Sequence, residues 1–312
     1  MKFLLAILDG ASYGKTFSIA SRTFSGLSIN AISTIYPSVT FAAHTSIITG
    51  TRPHTHKVLA NRFIANNSFI DFDITDINHF VSTQTLFERY NGKGAAIGIP
   101  LYRGANTVVT MKEIAKVNLF ERNKFVYEKI RDVAETHDVV VANFLQIDNC
   151  GELYGPNSDE YLSAINEALV LLKEIIDYYK PHFLITADHG MVPVEKRIPI
   201  DEIAERNGGI AVSSHRFVVF YKTGEWLNQL PVKLIRDKER IANMGLPLEY
   251  TGEAIGFADG PIEFMVPNLK GSHGGDTSME MTVPLITDIP IVEGMIRNVN
   301  EIINVLFSTI LR

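Results

Sequence analysis

The sequence of 312 residues predicts an α/β fold in which a doubly wound, mostly parallel sheet carries a small inserted α+β cap. Short continuous apolar runs alternate with segments of helical periodicity, and this alternation implies strands joined by right-handed crossovers. Several of the apolar runs end at an acidic residue. From about residue 196 to about residue 255 the pattern changes to short strands among polar and Gly- or Pro-containing segments, which indicates an insertion.

The core elements follow from local patterns. The apolar run Phe3–Leu8 stops at Asp9-Gly10, which is typical of a buried parallel strand. A short helix should start at Thr40 and end at Gly50, because glycine is a frequent C-terminal stop. The other predicted core elements are strands at Ala95–Ile99, Asp138–Ile147 and Phe183–Ala187, an amphipathic helix at Ser158–Tyr179, and an apolar helix from about 293 to 311.

The insertion divides the chain into two parts. Residues 1–195 and 255–312 are predicted to form the metal-binding catalytic core, and residues 196–254 the cap subdomain. Within the cap, Ile210–Val212 and Phe217–Tyr221 are predicted to be antiparallel strands.

The composition narrows the possible partners and location. The net charge is −6, and the basic residues are scattered, so neither a nucleic-acid polymer nor a membrane surface is expected as a partner. The apolar start is too short for a signal peptide, and no stretch approaches the length of a membrane span. The single cysteine, Cys150, excludes an internal disulfide and fits a reducing compartment. We therefore expect a cytoplasmic protein.

Acidic residues at predicted strand ends suggest a metal site. Asp9, Asp148 and Asp188-His189 fall where strands hand over to loops, which is where open α/β sheets bind ligands. Two polar side chains at one strand end cannot both face the core, so a shared ligand would explain Asp188-His189; an N-cap aspartate beside a surface histidine explains the pair equally well. The candidate donors are Asp9, Asp148, Glu152, Asp188, His189 and His273.

A hydroxyl lies at the start of the predicted helix. Thr40 would meet free amide groups and the positive end of the helix dipole, which suit a phosphate group and stabilise an alkoxide. Threonine is also a common N-cap without any chemistry. Metal ions nearby would turn such a cap into a nucleophile.

Read in chain order, these segments resemble those of the alkaline phosphatase superfamily. They are most similar to the type I phosphodiesterase/nucleotide pyrophosphatase group, and also similar to phosphonoacetate hydrolase. The segments are Ile7-Leu8-Asp9-Gly10, Tyr36-Pro37-Ser38-Val39-Thr40-Phe41, Asp148-Asn149-Cys150-Gly151-Glu152, Thr186-Ala187-Asp188-His189-Gly190-Met191 and Gly271-Ser272-His273-Gly274. Any one of them is a weak signal, but five in this order are specific. The cap has no counterpart in the resemblance.

The resemblance implies an alkaline phosphatase-like fold and a two-metal hydrolase. It implies Thr40 as the nucleophile, forming a phospho-threonine intermediate and also contacting the second metal. The implied ligands are Asp148, Glu152 and His273 for the first metal, and Asp9, Asp188 and His189 for the second.

Two residues depart from the family pattern. Glu152 stands where the family has histidine, so the zinc that the resemblance implies could be replaced by manganese or magnesium, which prefer oxygen donors. Ala43 stands where nucleotide pyrophosphatases have an asparagine, and Asn61 or Asn149 could supply the missing donor. Cys150 fits a tight loop better than a role as thiolate ligand.

The predicted function is a metal-dependent phosphoric ester hydrolase, similar to a phosphodiesterase or nucleotide pyrophosphatase, acting on a small phosphate ester. The alternatives are a phosphomonoesterase, a phosphonate hydrolase or a phosphomutase on the same scaffold, or a non-catalytic metal- or phosphate-binding homologue. Asn61 and Tyr154 are candidate substrate contacts, and the apolar C-terminal helix is a candidate oligomer contact. No role is assigned to His215, and His44 is expected only to pack against its helix.

Overall fold

The computed structural model describes residues 1–289 and 294–311. Seventeen strands lie in this part of the chain: β1 (Phe3–Ile7), β2 (Ile29–Ser33), β3 (Arg62–Ala65), β4 (Ser68–Asp71), β5 (Gly94–Ile97), β6 (Thr107–Val109), β7 (Val139–Asn143), β8 (His182–Thr186), β9 (Val192–Pro193), β10 (Lys196–Arg197), β11 (Ile210–Ser214), β12 (Phe217–Lys222), β13 (Val232–Ile235), β14 (Ala254–Ala258), β15 (Ile262–Glu263), β16 (Gly271–Ser272) and β17 (Thr282–Thr287).

The helices of the same ranges are α1 (Tyr13–Thr23), α2 (Thr40–Thr49), α3 (Pro53–His56), α4 (Ile77–Phe80), α5 (Leu86–Arg89), α6 (Met111–Ala115), α7 (Arg122–Ala134), α8 (Gln146–Tyr154), α9 (Asp159–Tyr179), α10 (Ile200–Arg206), α11 (Lys238–Asn243), α12 (Ser278–Met281) and α13 (Ile302–Thr309). Short 3-10 helices occur at Leu119–Glu121, Glu225–Gln229, Leu248–Tyr250 and Val299–Glu301. Within the described residues, no helix is long and apolar enough to cross a membrane.

A seven-stranded sheet in the order β2-β17-β8-β1-β7-β5-β6 forms the centre of the molecule. Strands β8, β1, β7, β5 and β6 run parallel, and β17 pairs antiparallel with both β8 and β2. Strand β1 is fully buried, as its unbroken apolar run predicts. The predicted α/β fold with a mostly parallel sheet is therefore confirmed.

The helix α2 agrees closely with its prediction. It begins at Thr40, after the extended Val39, and Gly50 follows it in the left-handed conformation, with φ of 70°. A residue with a Cβ is strained at such a φ, so the glycine allows the helix to end there. Helix α9 begins at Asp159, because the hydroxyl of Ser158 caps it by accepting from the backbone N–H of Tyr161.

The predicted strand at Asp138–Ile147 is too long. Strand β7 ends at Asn143, and Phe144 then donates a 2.8 Å backbone hydrogen bond to Ile7 before helix α8 begins. Asp148 consequently lies in the first turn of α8 rather than in a loop at a strand end. The apolar run continues across the junction, and the pattern alone does not separate a buried strand from a buried helix.

The cap is built on a four-stranded antiparallel sheet in the order β11-β12-β14-β13. Strands β11 and β12 were predicted, and they pair antiparallel as expected. The predicted boundary after residue 254 falls inside strand β14 (Ala254–Ala258), which pairs with both β12 and β13. The inserted sheet therefore continues to Ala258.

The C-terminal helix α13 is shorter than predicted, and the predicted start near Glu293 lies outside the described residues. Its apolar side chains Ile302, Ile303, Val305 and Leu306 are buried, and the helix packs on α2. The apolar face that suggested an oligomer contact is thus used within the chain.

Candidate active site

The candidate ligands of the second metal lie at the carboxyl ends of β1 and β8. Asp9, Asp188 and His189 are fully buried, and one ligand atom from each lies within 4.8 Å of the others. Asp188 Oδ1 accepts hydrogen bonds from the backbone N–H groups of Gly10 and His189, at 3.0 and 2.9 Å. Asp9 Oδ2 accepts from Asn143 Nδ2 at 2.7 Å. Each carboxylate is therefore fixed through one oxygen, and its other oxygen stays available.

His189 links this group to the predicted nucleophile. Its Nδ1 donates to the carbonyl of Gly190 at 3.0 Å, which leaves Nε2 as the free ring nitrogen. Nε2 lies 3.2 Å from Asp188 Oδ2, 3.8 Å from Asp9 Oδ1 and 3.1 Å from the hydroxyl oxygen of Thr40. Thr40 thus stands at the N-terminus of α2 and beside the group of candidate ligands, as predicted.

His44 belongs to the same cluster, which the sequence did not suggest. It is fully buried on α2, its Nε2 lies 3.5 Å from Asp188 Oδ2 and 3.9 Å from Asp9 Oδ2, and neither ring nitrogen has a hydrogen-bond partner among the described residues. Burial lowers the pKa of His44 to about 3, so the ring is neutral.

The candidate ligands of the first metal, which form the first site, are grouped around His273. Its Nδ1 donates to the carbonyl of Ser38 at 3.0 Å, so Nε2 is the free nitrogen, 3.9 Å from Asp148 Oδ1. Asp148 and Glu152 are four residues apart on α8 and therefore lie on the same face of that helix. The rings of His273 and His189 stack with their centroids 3.7 Å apart, which joins the two groups into one centre.

His215, which has no role predicted from the sequence, also lies at the first site. One ligand atom each of His215, Glu152 and His273 lies within 4.8 Å of the others. His215 is in the turn between β11 and β12, in the cap, and its ring centroid is 4.2 Å from that of His273. The buried carboxylate of Glu263 lies next to it, 3.8 Å from His215 Nδ1. The one local signal for this residue is a polar His-Arg pair between two apolar strands.

The donor set fits divalent cations. Among the described residues, Asp9 Oδ1, Asp148 Oδ1 and Asp188 Oδ2 are buried without hydrogen-bond partners, which is costly unless a cation neutralises them. Burial raises the pKa of Asp9 to about 7 and that of Asp188 well above its usual range. For Asp148, burial and the neighbouring Glu152 carboxylate raise the pKa in the same direction. A bound cation would reverse these shifts and stabilise the ionised forms.

The imidazoles are in the protonation state that metal binding needs. Burial lowers the pKa of His189 to about 3 and that of His273 well below its usual range. Both rings are therefore neutral, each with Nδ1 occupied by a backbone carbonyl and Nε2 facing the carboxylates. A neutral imidazole that is oriented by a hydrogen bond at its other nitrogen is the usual form of a histidine ligand.

A cavity of about 660 Å³ opens onto Thr40 and onto the group of candidate ligands around His273. Thr40, Asp148, Glu152 and His273 line it, together with Asn61. The side-chain oxygen of Asn61 accepts from the backbone N–H of Phe41 at 3.2 Å, which leaves its NH₂ as the donor.

The other candidate contacts are placed differently. Asn149 lines the cavity, and its oxygen accepts from Arg122. Ala43 is fully buried within α2. Tyr154 is not among the described residues that line the cavity; it is 42% exposed, and its ring lies near that of Phe120, at a centroid distance of 6.2 Å. The structure thus places Asn61 at the cavity and Tyr154 away from it.

Comparison with known proteins supports the family suggested by the motifs. The model of the type I phosphodiesterase / nucleotide pyrophosphatase family matches residues 14–247. Murine ectonucleotide pyrophosphatase/phosphodiesterase 5 is similar with a TM-score of 0.78 and 14% identity, covering 99% of this chain and 94% of that chain. An inactive variant of the murine protein, with threonine replaced by alanine and in complex with AMP, gives a TM-score of 0.78 and 15% identity over the same shares.

A bacterial enzyme has the same fold. Phosphonoacetate hydrolase from Sinorhizobium meliloti 1021, in complex with phosphonoformate, has a TM-score of 0.77 and 15% identity, covering 99% of this chain and 95% of that chain. At such identities the likeness shows a common fold and no more. No curated protein matches the chain. The family model covers most of the chain, and the protein is therefore a hydrolase that belongs to the type I phosphodiesterase / nucleotide pyrophosphatase family.

Proposed function

We propose that the protein is a metal-dependent phosphoric ester hydrolase in which the hydroxyl of Thr40 attacks phosphorus. One observation carries this proposal: Thr40 lines the cavity at the N-terminus of α2, and its hydroxyl oxygen lies 3.1 Å from His189 Nε2. Backbone N–H groups and the helix dipole at that terminus favour the negative charge of a phosphate. The family membership and the inactive threonine variant of the murine relative support the same assignment.

Asp9, Asp188 and His189, with the Thr40 oxygen, would hold one divalent cation, and Asp148, Glu152 and His273 would hold the other. The close spacing of the ligand atoms of Asp9, Asp188 and His189 supports the former, and the closeness of His273 to both Asp148 and Glu152 supports the latter. When bound, such cations lower the pKa of the threonine hydroxyl and of a water molecule and offset the charge that develops on the phosphoryl oxygens. His189 keeps its free nitrogen beside Thr40, because the carbonyl of Gly190 occupies its other nitrogen.

The reaction would run in two displacements. A bond forms between the Thr40 oxygen and phosphorus while the bond from phosphorus to the leaving oxygen breaks, and the leaving oxygen is protonated. Water then attacks phosphorus, and the Thr40 oxygen leaves and regains its proton. The NH₂ group of Asn61, whose side-chain oxygen accepts from the backbone N–H of Phe41, would donate to a phosphoryl oxygen in both steps.

The cavity walls favour an ester with an aromatic group. Phe41 and Phe72 line the cavity with their rings 5.3 Å apart, and Tyr102 and Met111 extend the apolar wall. Aromatic surfaces of this kind bind planar groups by stacking. The adenine of the AMP bound to the murine relative suits such a wall, so we expect phosphate esters that carry a nucleobase to be hydrolysed faster than esters without an aromatic group.

The experiment is to compare Thr40→Ala with the wild type and with Thr45→Ala. Thr45 lies further along α2, and its hydroxyl donates to the Phe41 carbonyl at 2.7 Å, so it serves as the matched control. With bis(p-nitrophenyl) phosphate, Thr40→Ala should lose about 10⁴-fold or more in kcat, and Thr45→Ala less than about tenfold. Rapid acid quenching and mass spectrometry of the wild type should find a p-nitrophenyl phosphoryl group on Thr40, because one p-nitrophenol leaves in the first displacement. Near-normal turnover in Thr40→Ala would contradict the covalent mechanism.

A phosphonate hydrolase is the second candidate. Lys112 is the one lysine or arginine among the described residues that line the cavity. Its ammonium group could pair with a second anionic group of the substrate, such as the carboxylate of phosphonoacetate. Phosphonoacetate should be tested beside the diester. If Lys112→Met impairs phosphonoacetate hydrolysis and spares diester hydrolysis, the phosphonate is the better substrate class.

A further inference from the structure

We propose that His215 of the cap is a ligand of the metal at the first site, together with Glu152 and His273. This inference rests on the metal-dependent function proposed above, and it adds a residue from outside the catalytic core. It makes the cap a part of the metal centre rather than only a wall of the substrate cavity.

The cap turn that carries His215 is fixed against the core by its next residue. The backbone N–H of Arg216 donates to the carbonyl of His273 at 3.0 Å. Its buried guanidinium donates to Glu280 Oε1 at 2.9 Å and to the carbonyls of Gly260 and Ile262 at 2.9 and 2.6 Å. His215 therefore has a defined position relative to His273 without any ion present.

The distances around His215 match those of ligands on one ion. Its Nδ1 lies 3.7 Å from Glu152 Oε1, is buried and has no hydrogen-bond partner among the described residues. A hydrogen bond or a close ion pair would bring these atoms to about 2.8 Å. Two ligand atoms at about 2.1 Å from one ion stand about 3.0 Å apart in octahedral and about 3.4 Å apart in tetrahedral geometry, so the observed spacing leaves room for an ion.

Glu263 does not account for the orientation of His215. It is 3.8 Å from His215 Nδ1, and its Oε1 already accepts from the backbone N–H groups of Met265 and Val266, at 2.9 and 3.0 Å. Its other oxygen accepts from the hydroxyl of Ser272. With its oxygens used in this way, Glu263 makes no hydrogen bond to His215.

The backbone conformation of His215 supports a role as a ligand. Its φ is 52°, in the left-handed region that a residue with a Cβ adopts at a cost. Such strain persists where the surroundings hold the residue for a purpose, and here the conformation brings the imidazole to the cavity beside His273. A glycine or asparagine would form the same turn with less strain.

A further ligand changes which ion fits. Asp148 Oδ1, 3.9 Å from His273 Nε2, brings the set to two carboxylates and two imidazoles. Catalytic zinc usually has three protein ligands and one open position. Four protein ligands leave a position for substrate only in an ion of higher coordination number, which favours manganese over zinc.

The test compares the metal content of the wild type, His215→Asn and a control, His182→Asn. Asparagine tolerates a positive φ, so the turn is kept while the imidazole is lost. His182 is a surface residue that pairs with Asp288 at 2.9 Å, away from the cavity. Each protein is loaded with manganese, titrated with a competing chelator and analysed by mass spectrometry, and cobalt-substituted protein is followed by its visible absorption.

We expect two ions per chain in the wild type and in His182→Asn. In His215→Asn, the ion at Asp9, Asp188 and His189 should remain, and the other should bind at least about 100-fold more weakly. The retained ion also shows that the variant is folded. A second variant, His215→Gly, should regain the second ion when imidazole is added, because the cavity admits the free ligand.

The outcomes separate this inference from the function on which it rests. Two ions of wild-type affinity in His215→Asn, with an unchanged cobalt spectrum, would overturn the role of His215 and leave the two-metal function standing. A wild type that binds a single ion, retained in His215→Asn, would remove the first site and this inference together. If His215→Asn does not fold, His215→Gly decides, and its failure to respond to imidazole contradicts the proposal.

Discussion

Replacing Asp9 with asparagine should change stability in opposite directions without and with metal. Burial raises the pKa of the Asp9 carboxyl from 3.8 to about 7, although a hydrogen bond from Asn143 acts the other way. In the chelated protein, the folded state therefore keeps a proton that the unfolded state releases. This contribution to the free energy of unfolding is full below about pH 3.8, declines as the pH rises, and is lost by about pH 7.

The size of the effect follows from the same pKa values. One unit of pKa corresponds to about 1.4 kcal/mol, so the rise from 3.8 to about 7 gives about 4 kcal/mol. Asparagine has the same shape, can accept the 2.7 Å hydrogen bond from Asn143 and has no proton to lose. Between pH 4 and pH 7.5, the stability of Asp9→Asn relative to the wild type should rise by about 4 kcal/mol. Buried His44 and His56, whose pKa is lowered to about 3, stay neutral in both folded proteins over this range and cancel. The Asp9 carboxylate also contributes to the raised pKa of Asp188 and of Asp148, so its removal acts on these groups in the same direction.

Urea denaturation of chelator-treated proteins at several pH values measures this difference. Asp138→Asn is the control, because Asp138 pairs with Lys2 at the surface and its pKa is lowered, so any effect there has the opposite sign. With excess manganese at pH 7.5 the order should reverse, since the wild type gains binding free energy that the variant loses. A difference that does not depend on pH would show that Asp9 is ionised in the folded, chelated protein and would refute the reasoning.

Two other substitutions test the first site. Glu152→His replaces a carboxylate with an imidazole and should raise the ratio of zinc-supported to manganese-supported turnover; an unchanged ratio would mean that Glu152 is no ligand. Gly10→Ala would place a Cβ 2.8 Å from Asp148 Oδ1 at a residue whose φ is 72°, so it should destabilise the fold by about 1 to 3 kcal/mol and weaken binding of the ion at Asp148. Wild-type stability by denaturation together with full metal content in Gly10→Ala would contradict this geometry.

The parts of the fold that the sequence predicted are those with a complete local signal. Strand β1 is an unbroken apolar run, and α9 has apolar residues at helical spacing over its whole length. Helix α2 is followed by Gly50, whose φ of 70° favours glycine. The predicted strand at Asp138–Ile147 is too long, because apolar residues continue from β7 into α8. The prediction that Asp148 lies at the carboxyl end of the sheet still holds, because α8 follows β7 after only two residues.

The candidate site was predictable where its residues lie in motifs that resemble a family. Asp9, Asp188 and His189 come together at two strand ends, as strand-end acids in a parallel sheet predict. His44 has no local sequence signal of a ligand, and the signal of His215 is weak, a polar His-Arg pair between two strands. Each is brought to the centre by packing, one on the inner face of α2 and the other in a turn of the cap.

The cap is the part of the fold that the sequence predicted least well, because its contacts with the candidate metal centre have no local sequence signal. A domain boundary at residue 254 falls within β14 and separates the insertion from the candidate metal centre. Yet Arg216 is buried in an ion pair with Glu280 of the core, and removing one partner of such a pair leaves an uncompensated buried charge. The backbone of the same residue bonds to His273, so the position of the cap and the geometry of the candidate metal centre depend on each other. It follows that substitutions in the turn between β11 and β12 should alter metal binding as well as substrate preference, which a cap that only covers the cavity would not explain.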